Sequence, residues 1–315
     1  MAVQHSEVFF PRGFQELFST WKSLSDAEPK ENACVLCAGG IELIRNQCGR
    51  IPTLPRKIIF LDKIEELRKI SRTERYIEIG CMVRLNKIIN LGKIVPEVLT
   101  RCLEGIGGPQ LRSQVTIGGN ICNQSLRMDA SAAMVALDAL YELRTAQSSR
   151  WVLASRFSSM PEGHSDHKGS SSARWKLPGL QDLAPQELLT RIRVPLDPWT
   201  YTWYRKFETS GKNQPGGNIL FILRNQKDIL TDIRVVYSGQ SILREKNCES
   251  MLSGKRLPLD RKDANAFLEG WQTYLSGLEG DENSNFHIES GHFKPELIKT
   301  QILYFIESTL AHISD

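Results

Sequence analysis

The chain has 315 residues, 41% of them hydrophobic, which is enough for a substantial core and most simply for two domains. Its 40 basic and 36 acidic residues leave a net charge of +4, and short basic runs such as Arg205-Lys206 are scattered rather than clustered with aromatics, which excludes a dedicated nucleic-acid binder. No apolar run reaches membrane-spanning length, Met1 to Glu7 lacks a basic segment followed by an apolar one, and seven scattered cysteines suit a reducing compartment, so a cytoplasmic protein without membrane contact is expected.

Val8 to Pro11 reads as a short strand, after which Phe14, Leu17, Phe18 and Trp21 recur at helical spacing. Ala33 to Cys37 reads as a buried strand ending at Gly39-Gly40, and Glu42 to Asn46 begins a helix. Cys34 and Cys37 have Cys-x-x-Cys spacing, but no second cysteine pair or nearby histidine completes a metal site, so both read as strand residues. Nor are any four cysteines spaced to hold an iron–sulfur cluster. Lys57 to Asp62 is a strand, Ile64 to Ile70 a short helix, and Tyr76 to Gly80 an alternating strand. Leu85 to Leu91 and Val98 to Ile106 are helical. Met128 to Leu140 has the small apolar residues of a helix packed closely on a sheet, and Tyr141 to Arg144 with Trp151 to Leu153 forms a hairpin.

Ser158 to Ala173, rich in Ser, Gly and His, reads as a long exposed loop in which His164 and His167 are polar surface. Glu187 to Val194 is strand-like and ends at Pro195. Beyond Pro198, strands are expected at Tyr201 to Phe207, Ile219 to Leu223 and Ile229 to Ser238, with a turn at Asn225 to Asp228 and amphipathic helices at Ala264 to Leu278 and Lys294 to His312. The expected organisation is a domain of two α/β subdomains over residues 1–198, then a small antiparallel sheet plus helices over 199–315, α+β overall.

Two glycine pairs carry the chemistry. Leu36-Cys37-Ala38-Gly39-Gly40-Ile41-Glu42-Leu43 closes a strand and opens a helix, and Gly107 to Asn123 contains Thr116-Ile117-Gly118-Gly119-Asn120. Glycine lets a backbone approach a phosphate closely, and successive N–H groups attract anions. Thr116, Asn120 and Asn123 add short hydrogen-bonding side chains, and Asp129 can accept bonds from a hydroxylated linker. The residues alone leave two readings open: a diphosphate clamp, or structural loops with a capping aspartate before a helix.

These segments resemble the FAD-binding subunit of the molybdenum hydroxylases, the group of xanthine dehydrogenase and the medium chain of carbon monoxide dehydrogenase. That family has Ala-Gly-Gly-Thr-Asp-Leu where Ala38 to Leu43 stands, Gln-Ile-Arg-Asn-x-Ala-Thr-Ile-Gly-Gly-Asn where Gln110 to Asn120 stands, and Asn-Ala-Ser-Pro-x-x-Asp where Asn123 to Asp129 stands. Leu183 to Leu189, Tyr204 to Phe207 and Glu249 to Lys255 match further stretches in order. The resemblance implies a two-part FAD-binding domain of the vanillyl-alcohol-oxidase-like (PCMH) type. Leu36 to Leu43 would wrap the FAD diphosphate with backbone N–H groups, and Thr116 to Asn120, flanked by Asn123, would close on it. Asp129 would bond the ribityl or nearby hydroxyls, Ile106 would contact the flavin or adenine, and Leu189 and Lys206 would lie near the isoalloxazine. Implied partners are a [2Fe-2S] subunit and a molybdopterin-containing large subunit, with NAD or another acceptor taking the electrons. Ile41 replaces a threonine hydroxyl, Leu126-Arg127-Met128 replace smaller residues, and the family's Arg and Asp-Ile-Ala are not recognisable after Lys206. A stand-alone flavin oxidoreductase and a flavin-free scaffold are the alternative readings.

Overall fold

A computed structural model describes residues 6–26, 34–45, 54–123, 129–158, 186–207, 217–239, 242–280 and 295–310. The expected loop beyond Ser158 and the Leu126-Arg127-Met128 departure fall outside them.

Three sheets organise the chain. The first is parallel: β1 (Glu7–Phe9) and β2 (Val35–Cys37) flank β3 (Lys57–Phe60) in the order β1-β3-β2. Helix α1 (Phe14–Asp26) buries Leu17 and Phe18, two of the residues placed there by helical spacing. The first glycine pair leads from β2 into α2 (Ile41–Arg45). Val35 and Leu36 in β2 are half-buried and Cys37 is buried, so the expected buried strand is an edge strand buried at its end.

The second sheet is five-stranded and antiparallel where its pairings are resolved. β4 (Ile70–Arg72) and β5 (Tyr76–Gly80) lie beside the later β8 (Leu188–Pro195), which pairs in turn with the hairpin β6 (Leu140–Arg144) and β7 (Ser149–Leu153), in the order β4-β5-β8-β6-β7. The expected helix at Ile64 to Ile70 is only a single 3-10 turn, Glu65–Arg68, because Ile70 to Arg72 pairs with β5. Helices α3 (Leu85–Ile89), α4 (Glu97–Glu104), α5 (Pro109–Arg112), α6 (Ile117–Ile121) and α7 (Asp129–Ala136) fill the crossover between β5 and β6, and α8 (Ala154–Ser158) follows β7. Every residue of α7 is buried, and its alanines allow neighbours to approach from all sides.

The third sheet, in the order β12-β11-β10-β9, is formed by β9 (Tyr201–Lys206), β10 (Asn218–Gln226), β11 (Ile229–Ser238) and the short β12 (Ile242–Leu243). One face carries Leu220, Ile222 and Val236 into the core of the first 200 residues, against α7. The other carries Ile219, Phe221, Val235 and Ile233 against α9 (Lys246–Leu252), α10 (Arg261–Gly280) and α11 (Pro295–Phe305). This double burial explains why β10 is apolar without a break from Ile219 to Leu223. Among the described residues, no helix is long and apolar enough to cross a membrane.

Candidate functional site

The two glycine loops meet. A Cβ built on Gly39 would lie 2.4 Å from the Gln114 carbonyl oxygen, and one on Gly119 would lie 3.5 Å from the Ala38 Cβ. Across the same junction Asn123 Nδ2 donates to Glu42 Oε2 at 3.1 Å. Gly40 has φ +74°, the left-handed region that glycine occupies without strain. Leu36 to Leu43 and Thr116 to Asn123 therefore form one wall although eighty-odd positions separate them in the chain.

The two loops differ in what they leave free. In the second, Ile117 N–H bonds the Val83 carbonyl at 2.9 Å, Gly118 N–H the Cys81 carbonyl at 2.8 Å, and Asn120 N–H the Thr116 carbonyl at 2.9 Å. Thr116, as N-cap of α6, accepts from Gly119 N–H at 3.1 Å. What remains for a ligand is side-chain chemistry: Asn120 is 9% exposed and its Oδ1 has no partner. In the first loop no hydrogen bond engages the N–H of Ala38 or Gly39 among the described residues. A half-buried glycine cradle with free amides fits the phosphates of a dinucleotide such as FAD, and the Asn120 Oδ1 can accept from a hydroxyl or amino group of the same molecule.

Arg84 belongs to the same wall. It precedes α3, its backbone bridges to Thr116, and its guanidinium donates to the Gln114 carbonyl. A Cβ on Gly39 would lie 3.1 Å from Arg84 Nη1. Burial, with Arg68 next, lowers the Arg84 pKa.

A second cluster gathers Asp129, Lys206 and Ile106. Asp129 opens α7 at 4% exposure, and its two oxygens are engaged separately: Oδ2 by Lys206 Nζ at 2.6 Å and Oδ1 by Asn218 Nδ2 at 2.5 Å. Lys206 and Asn218 are cross-strand partners on β9 and β10. Lys206 Nζ also donates to the Gly105 carbonyl at 2.8 Å, which ties β9 to the turn carrying Ile106, itself 9% exposed. Arg112 Nη1 holds the Glu104 carbonyl at 2.8 Å and the Gly107 carbonyl beside it, fixing the same turn. Leu189 stands apart: it faces Leu143 in β8 at 3% exposure and is a core residue.

Sequence reasoning passed over Arg84, Asn218 and the Tyr204 hydroxyl. Arg84 carried no signal, being one arginine before a helix. Tyr204 lies within the matched stretch Tyr204 to Phe207; burial, then Asp129 and Cys102, push its phenol upward and keep it protonated, and among the described residues its hydroxyl has no hydrogen-bond partner. Asn218 is fully buried and its Oδ1 has no partner.

Cys34, just before β2, and Cys37, its last residue, are free thiols, and burial raises both, Cys37 to about 11. No His/Cys/Asp/Glu cluster among the described residues could hold a metal. A cavity of 420 Å³ lies elsewhere, lined by Asp228, Arg256, Leu257, Pro258, Asp260 and Asp263, and includes none of the site residues.

Comparison with known proteins identifies the family and the fold. The glyceraldehyde dehydrogenase medium chain of Sulfolobus acidocaldarius is 26% identical over 243 residues, covering 76% of this chain and 80% of that one. The carbon monoxide dehydrogenase of Hydrogenophaga pseudoflava has a chain that superposes with a TM-score of 0.72 at 20% identity, covering 98% of this chain and 97% of that one. A chain of quinoline 2-oxidoreductase from Pseudomonas putida 86 gives a TM-score of 0.72 at 18% identity over 100% of both chains. The family model for the FAD binding domain in molybdopterin dehydrogenase matches residues 4–197, so the chain belongs to that family of FAD-binding oxidoreductase subunits.

Proposed function

We propose that the chain is the electron-transferring FAD subunit of a molybdenum hydroxylase, with a [2Fe-2S] subunit and a molybdopterin-containing large subunit as partners and NAD or another acceptor as the exit. When bound, FAD supplies the redox chemistry between one-electron carriers and a two-electron acceptor. The chain's own residues bind and orient it. Ala38 and Gly39 offer free N–H groups to the diphosphate, with the wall of Thr116 to Asn120 opposite them. Asp129 takes a ribityl hydroxyl on a lone pair that Lys206 and Asn218 leave open. Ile106 and Lys206 border the isoalloxazine, where the ammonium favours an anionic neighbour. The apolar packing of Ile117 and Ile121 behind the wall excludes water from it. A cytoplasmic setting suits the free thiols.

The observation that carries this reading is the direct packing of Gly39 on Gln114 and of Gly119 on Ala38. The relative named as a dehydrogenase medium chain supports a multi-subunit assembly. The test is to purify the full chain from its native source. Flavin absorbance near ~450 nm, with iron–sulfur and molybdopterin subunits in the same fraction, is the expected result. A chain that carries FAD but oxidises a substrate alone would overturn the subunit assignment.

A further inference from the structure

Among the described residues, Arg84 is a half-buried cation whose guanidinium bonds the Gln114 carbonyl and has no carboxylate within ion-pair distance. Asp62, which acts on it electrostatically, is bridged to Arg68 at 3.5 Å. Taking an arginine partly out of water with no counter-charge is unfavourable, and a fold that does so has an anion to complete it. The position is specific: the guanidinium sits where both glycine loops converge, against Gly39 and on the backbone that leads into Thr116. Nor does Arg84 cap α3, because no side-chain cap bond is made there. Ile41 removes a hydroxyl from the first loop, and the guanidinium supplies the donors that this loop lacks.

We propose that Arg84 is a diphosphate-binding residue, giving this chain a charge-based hold on the phosphates of a nucleoside-diphosphate-containing cofactor. The inference rests on the two-loop site proposed above. It predicts that affinity for the diphosphate is salt-dependent and separable from affinity for the flavin ring.

The experiment uses the full chain, stripped of flavin, and three probes: FAD, ADP as a diphosphate without flavin, and riboflavin as flavin without phosphate. Arg84→Gln is expected to weaken FAD and ADP alike by about tenfold or more, to flatten the salt dependence of both, and to leave riboflavin binding unchanged. Arg84→Lys, which keeps the charge, recovers part of the loss. Riboflavin weakened by the same factor as FAD would show that Arg84 only shapes the loop and would overturn the proposal, as would FAD and ADP affinities within about twofold of the parent. Melting of the apo chain checks that the variant folds. If it does not, the parent alone decides: an ADP affinity indifferent to salt up to about 0.5 M rejects the charge contact. Gly39→Val separates the two levels. If it leaves FAD affinity intact, the two-loop site itself fails; if it abolishes binding while Arg84→Gln does not, only the arginine's role fails.

Discussion

At Gly118 the backbone has no room for a side chain. Its N–H bonds the Cys81 carbonyl at 2.8 Å, and a Cβ there would lie 2.5 Å from the Cys81 Cβ and 2.9 Å from that same carbonyl oxygen. Gly118→Ala must therefore lift α6 away from the end of β5, at a cost of about 1–3 kcal/mol. Because α6 carries Gly119 and Asn120 into the junction with Ala38, the same shift parts the two loops. We expect a lower melting temperature of the apo chain and weaker FAD binding by flavin fluorescence; a loss of stability with FAD affinity unchanged would show that α6 does not form the cofactor wall. The glycine pairs, Thr116 and Asp129 were legible as residue types because close backbone approach and capping leave compositional traces. The partners of Asp129 were not. Asn218 is an ordinary polar residue at the head of an apolar strand, and only the register of β9 against β10 sets it opposite Lys206. Arg84 was equally silent, since an unpaired cation is recognisable only once its surroundings are folded.

At the scale of elements, alternation and helical spacing located most strands and helices, because burying one face writes a period into the chain. The elements that failed are short ones defined by their strand partners. Ile70, expected to end a helix, opens a three-residue strand paired with β5, and β12 is two residues long and exists only through β11. The outer face of the five-stranded sheet shows the same dependence. Its alternating positions hold charges: Glu78 bonds Arg193 at 2.6 Å and Arg191 at 3.2 Å, Glu142 bonds Arg191 at 2.7 Å, and Arg193 lies 4.2 Å above the Trp151 ring. Burial alone would raise the Glu142 carboxyl, but the hydrogen bonds from Arg191 and Thr190 outweigh it and hold the group below the usual carboxylate range. A folded pKa below the unfolded one means that the stabilisation is fully present above the ordinary value of 4.5 and is lost as pH falls through the lower folded value. Arg191 is 43% exposed, so water screens part of the attraction, and Glu142→Gln is expected to cost about 1–2 kcal/mol near neutral pH. Thermal melts across pH check the sign: the gap between parent and variant should narrow on acidification, and a gap that widens would contradict it.

At the scale of the molecule, α7 joins the cofactor site to the last third of the chain. Its first residue, Asp129, is bonded by Lys206 and Asn218. Its last carbonyls are held from the same sheet: Arg244 Nη1 bonds the Val135 carbonyl at 2.9 Å and Asp138 Oδ1 at 2.7 Å, and Arg234 Nη1 bonds the Ala136 carbonyl at 2.6 Å. With Leu220, Ile222 and Val236 packed into the first core, the sheet of β9 to β12 is continuous with the cofactor domain rather than tethered to it. The expected boundary at Pro198 falls just before the third sheet, which packs one face into the first core and the other into a second core formed with the last helices. Arg244 is the test of this continuity. At 8% side-chain exposure it forks onto Glu249, with Nε and Nη2 each 2.9 Å from a carboxylate oxygen. Burial pushes the Glu249 carboxyl up, and Arg244 is the main group opposing that shift. Arg244→Met leaves Glu249 without its ion pair in the junction, while Asp138 keeps Arg234, a loss of about 3–5 kcal/mol. Arg244→Met with Glu249→Leu removes the stranded charge beside it and should recover much of that loss, which a double-mutant cycle reads directly. Because one face of the third sheet is buried in the first core, the parent and the single variant should each melt in one cooperative transition, the variant at lower temperature. Two resolved transitions in the variant, the earlier one leaving FAD bound, would instead mean that the last third folds independently and that Lys206 and Asn218 do not hold Asp129 at the cofactor.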